Sequence, residues 1–258
     1  MAWALFGLGC GLAVARAPKR LWIGSYVVCL AVLVIFGVKR YTVGLEMVPP
    51  FSWFAAGRIR FAIALIAPVM VFPLSARIPS GRTRLLCTVF VGLLSFQYGV
   101  MPTVSPVLAR REFLSLKTLV DAQGVCLQQT GYTCGPAAAI TGLRALGLNA
   151  EEGELSIWAR TCSATGTDPD TLAEVLQTHF EAQGLQVDLR GFKSIDELAK
   201  AGVTLAVIKY SFWVDHFVTV LKVNGDQVVV GDPLSGRTIY TREDFAKVWR
   251  FTGIVLSR

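Results

Sequence analysis

Four apolar runs without a charged residue occupy most of the first part of the chain. They cover Ala2 to Ala15, Leu21 to Val38, Phe61 to Ala76 and Leu85 to Met101. Lys and Arg are confined to the gaps between these runs, as they are between membrane-spanning helices. The runs are near the lower limit of about 17 residues for crossing a hydrocarbon core. We therefore expect three to four transmembrane helices within residues 1–101.

The charges divide the chain at the same place. Residues 1–118 hold 13 Lys and Arg against 2 acids, whereas residues 119–258 hold 12 against 16. The net charge of +7 therefore belongs to the region expected to contact lipid headgroups. The second region has no basic groove with interleaved aromatic residues, so nucleic acid is not an expected partner.

A cysteine stands at the start of a predicted helix in the second region. Cys134 precedes Gly135 and Pro136, an alanine-rich stretch follows, and Gly147 ends the pattern. Proline suits a first helical turn, where its missing N–H is no loss. The helix dipole and the unpaired N–H groups at this end favour thiolate over thiol. Cys134 is therefore a candidate nucleophile; the alternative is a small buried residue at a turn.

Two histidines are available as its base. His179 lies on a helix whose apolar face excludes it, which indicates a surface position. His216 begins a run rich in β-branched residues that predicts a strand, followed by a turn around Gly225 and a second strand. His216 is the better candidate.

Two carboxylates are candidates for orienting that histidine. Asp215 is its neighbour along the strand and should point to the opposite face. If the turn has three residues, so that Val223 pairs with Gln227, then Asp232 lies diagonally on the same face as His216. A two-residue turn would remove this relation. Asp232 is thus the predicted partner, although Asp-Pro after a strand is also an ordinary turn opener.

Four motifs occur in the order typical of one family of peptidases. They are Gln128 six residues before the cysteine, Cys-Gly-Pro-Ala at 134–137, Asp-His-Phe-Val at 215–218 and Gly-Asp-Pro at 231–233. Over residues 121–258 the chain resembles the bacteriocin-processing, double-glycine-type cysteine peptidases, the peptidase C39 family of the papain-like superfamily.

The resemblance implies a role for each motif residue. Cys134 would be the nucleophile, His216 the general base and later acid, Asp232 the orienting carboxylate and Gln128 an amide donor to the oxyanion, with Gln129 as the alternative donor. The implied activity is that of a thiol protease, a hydrolase that cleaves peptide bonds in a peptide or protein substrate. It requires no metal and no cofactor.

The implied fold is α+β, with a helical lobe that carries the cysteine and an antiparallel sheet that carries the histidine. Residues 1–101 would be the transmembrane region, 102–120 a juxtamembrane linker and 121–258 the peptidase domain. The chain would then be integral to a bacterial plasma membrane. The basic residues favour the two orientations almost equally, so the side that the peptidase domain faces stays open, as does whether Cys126 and Cys162 pair.

The sequence also departs from the best-known members of this family, which are fused to an ATP-driven exporter. These 258 residues contain no phosphate-binding loop of a nucleotide-binding domain. Processing of leader peptides that end in paired small residues is therefore a starting hypothesis. The same chemistry also serves amidases and transpeptidases, and a third alternative is an inactive pseudo-peptidase that only binds peptides.

Overall fold

A computed structural model describes residues 2–41, 59–211 and 214–258. The α-helices are α1 (Ala2–Ala15), α2 (Lys19–Tyr41), α3 (Ile59–Ser75), α4 (Gly81–Ser95), α5 (Met101–Leu108), α6 (Arg110–Ser115), α7 (Cys134–Ala145), α8 (Glu152–Trp158), α9 (Pro169–Phe180), α10 (Ile195–Ala201) and α11 (Arg242–Val248). A π-helical turn, Phe96–Val100, follows α4, and a 3-10 turn, Glu181–Gln183, follows α9.

The strands all lie in the second half of the chain. They are β1 (Leu119–Val120), β2 (Cys126–Leu127), β3 (Gln186–Gly191), β4 (Val203–Lys209), β5 (Asp215–Asn224), β6 (Gln227–Asp232), β7 (Gly236–Thr241) and β8 (Trp249–Ser257). β1 and β2 form a short hairpin, and the others form one antiparallel sheet in the order β3-β8-β4-β5-β6-β7. Helices followed by an antiparallel sheet confirm the α+β prediction.

The chain divides into two compact units, one within residues 1–42 and 58–104 and the other within residues 43–57 and 105–258. In the first unit α1 packs along α3. A Cβ added to Gly11 would lie 2.6 Å from the carbonyl oxygen of Pro68, so this glycine permits the close approach of the two helices.

The predicted transmembrane helices are not supported by the structure. Within residues 2–41, 59–211 and 214–258, no helix has both the length and the apolar character that membrane crossing requires.

In the second unit the large sheet separates two apolar clusters. Neighbouring residues of β4 alternate between them, because successive side chains of a strand point to opposite faces: Leu205 and Val207 join one cluster, Ala206 and Ile208 the other. Helices α7, α8 and α9 cover the first face. Helices α10 and α11 cover the second face, where Trp249 and Phe245 are fully buried. The sheet is thus the middle layer of three.

Candidate active site

The predicted nucleophile begins helix α7. Cys134 is its first residue and is partly exposed, whereas the residues from Gly135 to Leu143 are buried against the sheet. A Cβ on Gly135 would approach the Cβ of Thr167 to 2.8 Å, so only glycine lets this end of the helix lie so close to Thr167. The thiol therefore stands at the N-terminal end of a packed twelve-residue helix, where N–H groups and the helix dipole favour negative charge.

Strand β5 carries the histidine and is tied directly to α7. The hydroxyl of Thr219 donates a buried 2.6 Å hydrogen bond to the carbonyl oxygen of Ala138. Thr219 is three residues after His216, and Ala138 is about one helical turn after Cys134. This bond fixes the strand against the helix near the point where the two side chains meet.

The hairpin of β5 and β6 reaches the expected register by a different route. The turn has two residues, Gly225 and Asp226, because Asn224 pairs with Gln227, whereas the expected relation between Asp232 and His216 depended on a turn of three residues. A bulge between Val220 and Lys222 then adds one residue to β5. Beyond the bulge Thr219 pairs with Gly231, the same register that a three-residue turn would have given. The bulge thus restores the position of β6 relative to the start of β5.

His216 lies between the predicted nucleophile and the predicted carboxylate. His216 Nε2 lies 2.8 Å from Asp232 Oδ1, and the Cys134 side chain is near enough to the ring to raise its pKa. His216 is only 4% exposed, and the ring of Tyr210 packs 5.6 Å from it. The imidazole is therefore held between a thiol and a carboxylate.

The protonation of this group follows from its partners. Burial lowers the pKa of His216, but the hydrogen bond to Asp232 and the nearby Cys134 side chain, together with their charges, raise it to about 9. For Asp232, burial raises the pKa. The hydrogen bonds from His216, the Leu234 N–H and Ser235 outweigh the effect of burial and keep the pKa of Asp232 below its usual range. At neutral pH the imidazolium and the carboxylate are the favoured forms.

Asp232 is held by its own turn as well as by the histidine. The backbone N–H of Leu234 donates to its Oδ1 at 2.8 Å, and the hydroxyl of Ser235 donates to its Oδ2 at 3.0 Å. Sequence reasoning had missed Ser235, although Asp followed three residues later by Ser in a turn is a recognisable pattern. It had also missed Thr219, for which a threonine inside an apolar strand gave no signal.

Asp215 lies away from the histidine. Its Oδ1 accepts hydrogen bonds from Nε of Arg250 at 3.0 Å and from Nη2 at 2.8 Å. Arg250 is 4% exposed, so this pair belongs to the interior of the sheet region. The two aspartates beside His216 thus have separate partners.

Gln128 is connected through its backbone to the turn that follows Asp232. Its N–H donates to the carbonyl oxygen of Pro233, the residue after Asp232, at 2.9 Å. Its side-chain Nε2 donates to the Thr130 carbonyl at 2.7 Å, while its buried Oε1 has no hydrogen-bond partner among the described residues. Gln129 is exposed, and its Nε2 points back to the Leu127 carbonyl at 3.4 Å.

The remaining cysteines and the second histidine lie elsewhere. Cys126 and Cys162 are both buried and are not joined to each other by a disulfide bond. Burial, with a further contribution from Glu152, raises the pKa of Cys126 to about 12, so this thiol is a poor nucleophile. His179 is exposed and stacks on Trp158 with 3.8 Å between ring centroids, which confirms its predicted surface position.

A family model matches the second half of the chain, and two curated proteins are similar to it. Residues 123–258 match the model of the peptidase C39 family. An uncharacterized protein of Methanothermobacter marburgensis is 30% identical over 145 residues, which are 56% of this chain and 94% of that protein. One from Methanothermobacter thermautotrophicus is 29% identical with the same coverage.

Solved peptidase domains are also similar. The peptidase domain of Streptococcus ComA, a bi-functional ABC transporter involved in quorum sensing, has 18% identity and a TM-score of 0.45, covering 55% of this chain and 98% of that domain. A double glycine motif protease from an AMS/PCAT transporter, solved with a leader peptide, has 16% identity and a TM-score of 0.43, with the same coverage.

Proposed function

Because the chain belongs to the peptidase C39 family, we propose that it is a cysteine peptidase in which Cys134, His216 and Asp232 cleave a peptide bond. The observation that supports this most is the buried His216 ring, which is hydrogen-bonded to the Asp232 carboxylate and lies close to the Cys134 thiol. A non-catalytic peptide-binding module has no need of this arrangement.

The proposed reaction has two halves. The Cys134 thiolate attacks the carbonyl carbon of the scissile bond, and the His216 imidazolium donates its proton to the leaving amine as the C–N bond breaks. This releases the amine product and leaves a thioester on Cys134. His216, now neutral, takes a proton from water, which attacks the thioester, releases the carboxylic acid product and regenerates the thiolate.

The oxyanion formed in each half requires hydrogen-bond donors. We assign this role to the side-chain amide of Gln128 and to the N–H groups at the start of α7. Gln128 is partly buried in the segment that precedes Cys134, and its backbone is bonded to Pro233 beside Asp232. Gln129 is the weaker candidate because its side chain is exposed and directed to Leu127.

The proposed substrates are leader peptides in which two small residues precede the scissile bond. Membership of the family supports this choice. Two exposed apolar side chains, Tyr210 and Leu234, lie next to the His216–Asp232 pair. They provide apolar surface that a bound peptide could contact.

Peptide cleavage tests the proposal. The purified full chain and its Cys134→Ala variant would be incubated with peptides whose last two leader residues are Gly-Gly, Gly-Ala or Leu-Leu, and the products identified by mass spectrometry. We expect cleavage after the small pairs by the unmodified chain alone. Transfer of the acyl group to an added amine in preference to water would indicate a transpeptidase, and binding without cleavage would indicate a pseudo-peptidase.

We also propose that residues 1–101 associate with a lipid bilayer. The basic excess of this region supports the proposal, as do large apolar side chains exposed on its helices: Leu5, Phe6, Leu12, Leu21, Val27, Val28, Leu85, Leu86, Phe90 and Leu93. Alkaline carbonate extraction of membranes from cells that express the chain tests this. Retention in the membrane pellet is expected, and release into the supernatant would contradict it.

A further inference from the structure

A buried carboxyl group that the proposed reaction does not use lies beside the segment that joins Gln128 to Cys134. Glu152, the first residue of α8, is 0% exposed. Burial of a glutamate is costly unless hydrogen bonds compensate for lost hydration. Its contacts therefore indicate what the fold gains from it.

Those contacts lie along one short segment. Glu152 Oε1 accepts a 2.9 Å hydrogen bond from the backbone N–H of Gln129. Its Oε2 has no hydrogen-bond partner among the described residues, and the Thr133 hydroxyl lies near enough to lower the pKa of the carboxyl group. Gln129 directly follows Gln128, and Thr133 directly precedes Cys134. The carboxyl group thus holds the neighbour of the proposed amide donor and lies close to the neighbour of the proposed nucleophile.

The segment itself is closed by further bonds to the same threonine. The N–H of Thr130 donates to Thr133 Oγ1 at 3.2 Å, and the hydroxyl of Thr130 donates to it at 3.1 Å. Gln128 Nε2 donates to the carbonyl of Thr130. These hydrogen bonds therefore link the side-chain amide of Gln128 to the Thr133 side chain through Thr130.

Glu152 is in turn fixed by its own surroundings. Its N–H donates to the hydroxyl of Thr118 at 2.9 Å, and its carbonyl accepts from the hydroxyl of Ser156 at 2.7 Å. A Cβ on the next residue, Gly153, would collide with the carbonyl oxygen of Phe113, which is itself fully buried. The start of α8 is thus a rigid support for the carboxyl group.

From these contacts we infer that Glu152 is a positioning residue that sets the distance between the Gln128 amide and the Cys134 sulfur, and so builds the oxyanion site. The inference rests on the proposed peptidase function. Glu152 contacts neither Cys134 nor His216 in the bonds described above, so its effect is specific to the steps that form an oxyanion. Burial raises the pKa of Glu152 above its usual value, although the nearby Thr133 hydroxyl and the Gln129 N–H act to lower it.

Two reactions of the same thiol separate this role from a general effect on folding. Peptide hydrolysis forms an oxyanion, whereas alkylation of Cys134 by iodoacetamide displaces iodide and forms none. We expect Glu152→Leu in the full chain to lower kcat for a cleaved peptide by about 10- to 100-fold, with KM changed less than about 3-fold. The alkylation rate of Cys134 should also change less than about 3-fold.

Three further variants complete the test. Glu152→Gln keeps an oxygen acceptor for the Gln129 N–H and should recover kcat to within about 5-fold of the unmodified chain. Thr133→Val removes the hydroxyl at nearly constant volume and should lower kcat about 10-fold while sparing alkylation; it carries the test if Glu152→Leu does not fold. Glu154→Leu changes an exposed glutamate of the same helix and should have no effect.

The outcomes distinguish this inference from the proposed function. If the unmodified chain cleaves peptides and Glu152→Leu cleaves them equally well, Glu152 has no positioning role. A parallel loss of hydrolysis and alkylation in Glu152→Leu and Thr133→Val would also overturn it, because it would indicate a purely structural residue. If the unmodified chain cleaves no peptide and Cys134 is not selectively alkylated, the proposed function itself fails.

Discussion

His216 Nε2 lies 2.8 Å from Asp232 Oδ1, so the carboxylate orients the ring. Together with the Cys134 side chain it also favours the imidazolium form of the ring. The proposed chemistry depends on both, because the ring must hold a proton beside the thiolate and then deliver it to the leaving amine.

Removing the carboxylate should weaken catalysis while leaving the fold intact. We expect Asp232→Ala to lower kcat/KM by about 100-fold or more, because the ring loses both its orientation and the charge that favours imidazolium. Asp232→Asn keeps an oxygen acceptor, so its kcat/KM should lie between that of Asp232→Ala and that of the unmodified chain. Asp226→Ala, an exposed aspartate in the turn of the same hairpin, is the matched control. Equal activity of Asp232→Ala and the control would remove Asp232 from the mechanism.

The pH dependence of cleavage should have an alkaline limit near pH 9. The pKa of His216 is raised from its ordinary value of 6.5 to about 9, so the ring keeps its proton through neutral pH and loses it as the pH rises through about 9. Activity that depends on the imidazolium should fall over that interval. The profile of kcat/KM from pH 5 to pH 10.5 measures this. A decline centred near pH 6.5 would show that the ring is not held in its charged form.

The two glutamines before the cysteine should separate in a mutational test. Gln128→Ala should lower kcat/KM by about 100-fold, since the loss of one oxyanion donor costs about 10²- to 10³-fold, while alkylation of Cys134 stays nearly unchanged. Gln129→Ala should retain activity because that side chain is exposed and directed to Leu127. The reverse order of effects would assign the donor role to Gln129.

The second aspartate beside the histidine should matter for stability. Asp215→Ala removes the carboxylate that accepts two hydrogen bonds from the buried Arg250, and loss of a partner of this kind costs about 3 kcal/mol. Urea unfolding of the full chain, followed by tryptophan fluorescence, measures the loss. The control Asp188→Ala affects only an exposed pair with Arg190 at 3.5 Å, worth about 0–1 kcal/mol. A loss for Asp215→Ala no larger than the control would show that Arg250 needs no carboxylate there.

The sequence was sufficient for the elements that have strong local signals. Ser194 and Thr241 are the capping residues of two helices. Their side chains accept hydrogen bonds from the N–H groups of Glu197 and Asp244, and a helix starts at the next residue in each case. Cys134 begins α7 because Gly-Pro and an alanine run follow it. Each of these features depends on a few adjacent residues, so it can be read without knowledge of tertiary contacts.

Other features depend on contacts between distant residues and gave no such signal. β7 was not predicted: it is an edge strand, and only alternate residues of Gly236–Thr241 are protected. The bulge between Val220 and Lys222 depends on how β5 meets β6 and leaves no local pattern. The buried Glu152 looks, in sequence, like one more acid among Glu151, Glu152 and Glu154. Its role comes from its contacts with Gln129 and Thr133.

Selective labelling of one cysteine tests the proposed Cys-His nucleophile most directly. The purified full chain and its His216→Ala variant would react with a thiol-directed, peptide-like probe between pH 5 and pH 9, and mass spectrometry would identify the labelled residues. Buried Cys126 and Cys162 serve as internal controls. We predict labelling confined to Cys134 and much slower without His216. Equal labelling of Cys126, Cys134 and Cys162, unaffected by His216→Ala, would contradict an activated nucleophile.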